Sequence, residues 1–302
     1  MEKFLWTVVN GNSYLVTAIG GFAFCGSSGL TEVTIPISVT SIEPYAFRDC
    51  NSLRQVNIHG SVAEIGIGCF QNCSSLTHIV IPEPVTTIGL AAFQDCSGLK
   101  EVKLPESLKT IDSHAFSGCT ELTRVELPES VTLIGEEAFA NCSELKTVTI
   151  SKSLTRLGIR AFKNCSGLTS IAVDSGNPFF DSRNNCNAII ETETNTLLFG
   201  CKNTVIPNSV TKIGAGAFTD WSSLTNVNIP NSVIEIGLDA FHGCSGLTKL
   251  TIPNSVTKIG TFAFYGCSGL KEVVIPKWLA DDEGEMQRVF GDYSGKITIN
   301  QE

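Results

Sequence analysis

A phenylalanine returns every 23 residues along this chain. Phe24, Phe47, Phe70, Phe93, Phe116, Phe139 and Phe162 keep that spacing, and Phe218, Phe241 and Phe264 resume it after a gap of 56. A strict period in this range marks a solenoid, in which each unit stacks on its neighbour and cannot bury its core alone.

Each unit parses physically. In LTKLTIPNSVTKIGTFAFYGCSG, Leu250 and Ile252 alternate with Lys249 and Thr251, as in a half-buried strand. Pro253 stops that strand because it has no N–H to donate, and Pro36, Pro82, Pro105, Pro128, Pro207, Pro230 and Pro276 stand at equivalent places. Val256 to Gly260 is a second short extended piece, with Gly260 at the turn out of it. The segment Ala-Phe-x-x-Cys then reads as one or two turns of helix. The residue two after each Phe is always Gly, Asn or Asp, the types that accept the left-handed conformation ending a helix. Stacking puts the first strands into one long parallel sheet, about eleven strands at ~4.8 Å and so roughly 50 Å long.

The pattern IPxSVTxIGxxAFxxCSxL, from about Ser13 to Pro276, resembles the BspA-like group of microbial surface leucine-rich repeats. The resemblance implies a curved leucine-rich-repeat solenoid, exported or surface-displayed, used in adhesion and binding. The expected fold class is therefore an α/β-type repeat: a long parallel β-sheet, short second strands and short helical turns on a 23-residue period.

A single solenoid domain over 1–302 is expected, with an N-terminal edge (1–14), repeats (15–173), a hairpin insertion (174–200), repeats (201–276) and a C-terminal cap (277–302). Within the insertion, Ala188–Glu191 and Thr196–Phe199 read as strands of a hairpin protruding from the solenoid. Asp174, Asn177, Asp181, Asn184, Asn185 and Asn187 flank it. Oxygen ligands suit calcium, but the spacing matches no EF-hand and these residues are common turn formers, so no metal is expected. Pairing Glu191 with Thr196 sets Cys186 opposite Cys201, within reach of a disulfide, with independent burial as the competing outcome. In the cap, Lys277–Phe290 carries the acidic run Asp281, Asp282, Glu283 and Glu285 and a short helix, and Lys296–Asn300 reads as a last strand.

Twelve cysteines raise metal and redox chemistry. Eight of them share one repeat position: Cys50, Cys73, Cys96, Cys119, Cys142, Cys165, Cys244 and Cys267. No Cys-x-x-Cys occurs, and side chains stacked in parallel do not point at one another, so buried free thiols are expected. The four histidines form no spaced cluster. Asp112, Ser113 and His114 imitate a triad, but triad members converge from separate segments. The sequons at Asn72, Asn141 and Asn164 fall in the helix-ending column and are explained by structure. No enzyme and no cofactor are expected.

The net charge is −9, with no basic run, which argues against nucleic acid. No window reaches the length of a membrane helix. The start, MEKFLWTVVNGNSYLV, does not read as a signal peptide, since Phe4–Val9 is short and contains Thr7. The outward residues of the first strands vary while the core positions hold. His78, Glu101, Lys103, Arg124, Glu126, Thr147, Asn226, Asn228 and Lys249 are the candidate ligand-binding residues. Glu101, Lys103, Arg124 and Glu126 could instead pair across strands and merely hold the surface together. The expectation is a monomeric, non-catalytic binding or adhesion module at the cell surface or secreted. Its partners would be proteins or glycans, host extracellular matrix among them. The alternatives are a structural spacer displaying the hairpin and an intracellular interaction scaffold.

Overall fold

The computed structural model describes residues 6–9, 12–59, 61–291 and 298–301. The chain forms two compact units, Met1–Leu145 with Ser153–Phe162, and Lys146–Lys152 with Lys163–Glu302. Each is a parallel β-solenoid built from the 23-residue coil.

The first strands alternate exposed and buried residues, as the pattern requires. They make shorter ladders than the repetition predicts. In the first unit Glu32–Ile35, Gln55–Ile58, His78–Val80 and Glu101–Lys103 pair in parallel, and only an isolated bridge joins Glu101 to Arg124. In the second unit Thr147–Ile150 pairs with Ser170–Val173, and Lys249–Thr251 with Glu272–Ile275 and then Thr298–Gln301. Lys296 and Ile297, where the last strand was expected to begin, lie outside the described residues. The two-residue second strands form ladders of their own, such as Glu64–Ile65, Thr87–Ile88, Thr110–Ile111, Leu133–Ile134 and Arg156–Leu157.

The segment around each Phe is a ladder of turns, not the helix expected. Take the coil of Phe47. The N–H groups of Ala46, Arg48 and Cys50 close turns onto Glu43, Tyr45 and Phe47, whereas those of Tyr45, Phe47 and Asp49 donate to Ile67, Cys69 and Gln71 of the next coil. A helix would keep all six bonds to itself. Asp49 is left-handed as predicted (φ 60°), but so is Tyr45 (φ 60°), two residues before the Phe. That second left-handed residue breaks any helix, and its chemical variety hid it: Phe22, Gly68, Ala91, His114, Glu137 and Arg160 share the conformation.

Coils approach closely at the glycine that follows most second strands. A Cβ on Gly135 would lie 2.3 Å from the Ser113 nitrogen, and one on Gly260 2.3 Å from the Leu238 nitrogen. Neither residue has positive φ, so proximity and not conformational freedom selects glycine here. Inside, the phenylalanines stack ring on ring, with centroids 5.0 to 5.5 Å apart from Phe24 to Phe162. Such pairs contribute ~0.5–1.5 kcal/mol each beyond burial.

The cysteine column is buried, and all twelve cysteines are free thiols. Its thiols also have partners. Cys73 Sγ donates to the Phe47 carbonyl at 3.2 Å, Cys96 to Phe70 at 3.0 Å, and Cys244 to Phe218 at 3.1 Å. The Phe70 carbonyl already accepts the Cys73 N–H, so the thiol fills its second lone pair from the following coil. Burial drives the thiol pKa values of Cys50, Cys73, Cys96 and Cys119 upward, that of Cys96 to about 12.

Two readings of the insertion need correction. The hairpin does form, from Ala188–Glu191 and Thr196–Gly200, but it does not protrude. Ala188, Ile189, Ile190 and Leu197 are fully buried, and Thr196–Gly200 pairs in parallel with Lys212–Ile213, so it takes the place of a second strand. The disulfide is absent. Glu191 does face Thr196, but Ile190 faces Leu197 and Ile189 faces Phe199, so Leu198 is bulged out and Cys201 no longer opposes Cys186. Cys186 turns to the Ala188 carbonyl and Cys201 to that of Asn187. The flanking Asn and Asp residues serve as turn formers. Asn177 Oδ1 accepts the N–H groups of Phe179 and Phe180, Asp174 that of Gly176, and Asp181 binds Arg183. Asn184, Asn185 and Asn187 are left-handed.

Gly200 donates its N–H to Ala217, the bond a phenylalanine makes in regular coils, so it stands at the Phe position. Trp221, fully buried, replaces the next cysteine. The space at 200 is filled by the Phe218 ring, which a Cβ on Gly200 would approach to 2.2 Å. At the C-terminal end α1 (Lys277–Ala280) and α2 (Glu283–Phe290) form the cap, and Phe290 stacks on Phe264 at 5.4 Å. At the other end Trp6–Val9 pairs antiparallel with Asn12–Leu15.

Gly20 and Gly135 occupy equivalent positions, but nothing lies within 4 Å of a Cβ built on Gly20. Gly135→Ala is expected to destabilise by ~1–3 kcal/mol, and Gly20→Ala by no more than ~0.5 kcal/mol. Equal urea midpoints for the two variants would refute close coil contact as the reason for glycine.

A second expectation concerns the thiols. At pH 8 the native protein should expose one fast-reacting thiol, Cys25, with all twelve reacting only after denaturation. Rapid native labelling of the column would contradict its burial. The folded state holds Cys50, Cys73, Cys96 and Cys119 protonated, while the unfolded chain releases their protons near ~8.5. Stability should therefore fall as the pH rises above that value.

Candidate binding surface

The first-strand register builds a grid of side chains on the exposed face of the first unit. Gln55 faces His78, His78 faces Glu101, and Glu101 is bridged to Arg124, which makes one row. Val80 faces Lys103 in the row beside it. Neighbours in a row stand ~4.8 Å apart because the ladder fixes them. The alternating buried residues, such as Ile79 and Val102, anchor the strands to the core.

A shallow groove of 680 Å³ crosses this grid where the ladder thins to the Glu101–Arg124 bridge. His78, Glu101, Lys103, Arg124 and Glu126 line it together with Lys100. The structure thus brings five of the nine sequence candidates to one place. Lys100 was not among them. Its position just before the strand is repeated in Arg54, Thr77 and Thr123, and that recurrence was the available signal.

The charges divide unevenly. Arg124 pairs with Glu126 along its own strand, not across strands, and Lys100 reaches Glu121 at 3.5 Å. Both pairs are well exposed and contribute at most ~1 kcal/mol. Glu101 and Lys103 make no ion pair among the described residues. The reading of these four as paired across adjacent strands therefore does not hold, since the ion pair they do make, Arg124 with Glu126, lies within one segment.

The other four candidates are exposed on the second unit. Thr147 faces Ser170 in register. Lys249 is paired with Glu272 at 3.1 Å. Asn226 and Asn228 flank buried Val227 in a segment outside any ladder. None of the four lines the groove.

The imitation triad does not assemble. Asp112 Oδ1 accepts the Ser113 N–H, and His114 Nδ1 lies 3.9 Å from Glu137 of the next coil. Among the described residues no group of three or more His, Cys, Asp or Glu is placed to hold a metal ion. No helix among them is long and apolar enough to cross a membrane.

The comparisons agree with this architecture. No curated protein matches the chain. Among solved structures it is similar to a leucine-rich cell-surface protein of Faecalibacterium prausnitzii, at 28% identity and a TM-score of 0.74, over 95% of this chain and 89% of that one. It is also similar to a leucine-rich repeat protein of Eubacterium ventriosum, at 25% identity and 0.67, over 82% and 66% of the two chains. The pneumococcal vaccine antigen PcpA shares the fold at 22% identity and 0.62, over 89% and 70%. The BspA-type leucine-rich repeat matches in six copies, over residues 9–97, 64–190 and 189–283. The chain belongs to the BspA-type leucine-rich repeat family.

Proposed function

We propose that this protein is a non-catalytic binding module, displayed at the cell surface or secreted, that recognises a protein or glycan through the exposed first-strand face. The observation that carries the reading is the groove at His78, Glu101, Lys103, Arg124 and Glu126. There, chemically varied side chains stand side by side on one exposed face, and Glu101 and Lys103, which make no ion pair among the described residues, are left for a partner. A ligand meeting such a face loses little freedom in ordering it, which favours affinity. The similarity to a bacterial cell-surface protein supports the location. The spacer alternative loses its main support, because the hairpin it would display is buried.

The test is a screen of the chain against extracellular matrix proteins and glycans, followed by two paired variants. Lys103→Ala with Arg124→Ala removes charge from the groove, and Asn226→Ala with Asn228→Ala changes the second unit. Each substitution should alter stability by no more than ~0.5 kcal/mol, since all four residues are exposed. The groove variant should weaken binding of a retained ligand at least ~10-fold, equivalent to ~1.4 kcal/mol. Unchanged binding by both variants would reject the sheet face as the site.

A further inference from the structure

We propose that a second groove on the first unit, across Gln55–Ile58 and His78–Val80, is a subsite for an anionic saccharide. This rests on the binding reading above and names its ligand class.

The groove encloses 430 Å³ and is lined by Arg54, Gln55, Asn57, His59, Thr77 and His78, with Val80 at one side. The chain as a whole carries a net charge of −9, yet no carboxylate lines this groove among the described residues. The carboxylates next in register, Glu32 opposite Gln55 and Glu101 opposite His78, stand one strand away on either side. They leave a strip around Arg54 where an anion meets attraction, fenced by repulsion. Arg54 makes no ion pair among the described residues, so its planar guanidinium is free to take a carboxylate or sulfate bidentately.

The remaining groups suit hydroxyls. Gln55 Nε2 donates to Asn57 Oδ1 at 3.2 Å, which aligns the two amides and leaves the Gln55 oxygen and the Asn57 NH2 for a ligand. His78 Nδ1 is engaged by Thr77 Oγ1 at 2.9 Å, which leaves Nε2 outward. Val80, 58% exposed, offers methyl groups to the C–H face of a sugar ring. An acidic peptide would use the guanidinium but not this run of amide, hydroxyl and imidazole groups.

The test is calorimetric titration of the full chain with four probes: a hyaluronan oligosaccharide, a heparin oligosaccharide, a neutral chitin oligosaccharide and polyglutamate. At least one acidic saccharide should bind at least tenfold more tightly than chitin or polyglutamate. Binding of hyaluronan as tight as that of heparin identifies carboxylate as the recognised group, and tighter binding of heparin, which carries carboxylates too, shows that sulfate adds to it. Arg54→Gln, at an exposed site, should weaken that binding about tenfold and leave the circular dichroism spectrum unchanged. Absence of binding by both acidic saccharides, equal binding of chitin or polyglutamate, or indifference to Arg54→Gln each overturns the proposal. If another ligand from the screen is lost on Lys103→Ala with Arg124→Ala while acidic saccharides fail, this inference falls and the binding reading stands. If substitutions in neither groove affect any ligand, both fall.

Discussion

No coil of this protein can satisfy its own backbone. Half of the amide groups around each Phe donate to the following coil, as Tyr45, Phe47 and Asp49 do to Ile67, Cys69 and Gln71. Strand residues reach the other way, as Arg54 does to Thr31. An unpaired buried amide costs ~1–3 kcal/mol, so every coil must present its carbonyls at the height and phase its neighbour needs. That requirement fixes the period. It also explains why the column residues repeat, since a side chain that fits one coil meets the same surroundings in the next. Even the cysteines follow: a thiol is small enough for the core and still supplies the donor that the preceding Phe carbonyl accepts.

Where the period fails, the structure shows what must be repaired. The insertion brings its own strand into the second-strand ladder through Thr196–Gly200. Gly200 adds no ring to the stack, and the Phe218 ring of the next coil occupies its place, since a Cβ on Gly200 would lie 2.2 Å from that ring. Trp221 takes the cysteine position of the following coil, fully buried with its ring 6.3 Å from that of Phe199. At the cap, α2 returns a ring, Phe290, to the stack although it belongs to no repeat. In both places the chemistry of the column outlasts the sequence pattern that usually delivers it.

This explains which features could be read from the sequence. The Phe column, the prolines closing the first strands and the Gly, Asn or Asp after each Phe recur because each answers one constraint with few residue types. The second left-handed position tolerates Phe22, Tyr45, His114 and Arg160, so no composition betrays it, and the pattern of a turn ladder reads as that of a helix. The Leu198 bulge and the burial of the hairpin depend on a neighbour brought close by folding, which local pattern cannot register. On the exposed face, alternation identified the outward residues correctly. It could not tell that the ladder thins at Arg124 and opens a groove there, nor that Arg124 would choose Glu126 on its own strand.

The coil-to-coil bonding also bears on how such a chain can change over generations. A duplication or loss of one whole coil leaves every donor facing an acceptor of the same kind, so array length can drift with little penalty. A shift of a few residues inside a coil misaligns both neighbours at once. Lineages carrying this fold should therefore vary in steps of whole coils, and vary side chains freely on outward positions such as those of the first strands. The same bonding that makes the core intolerant frees the surface to be rewritten, one position at a time, against new ligands.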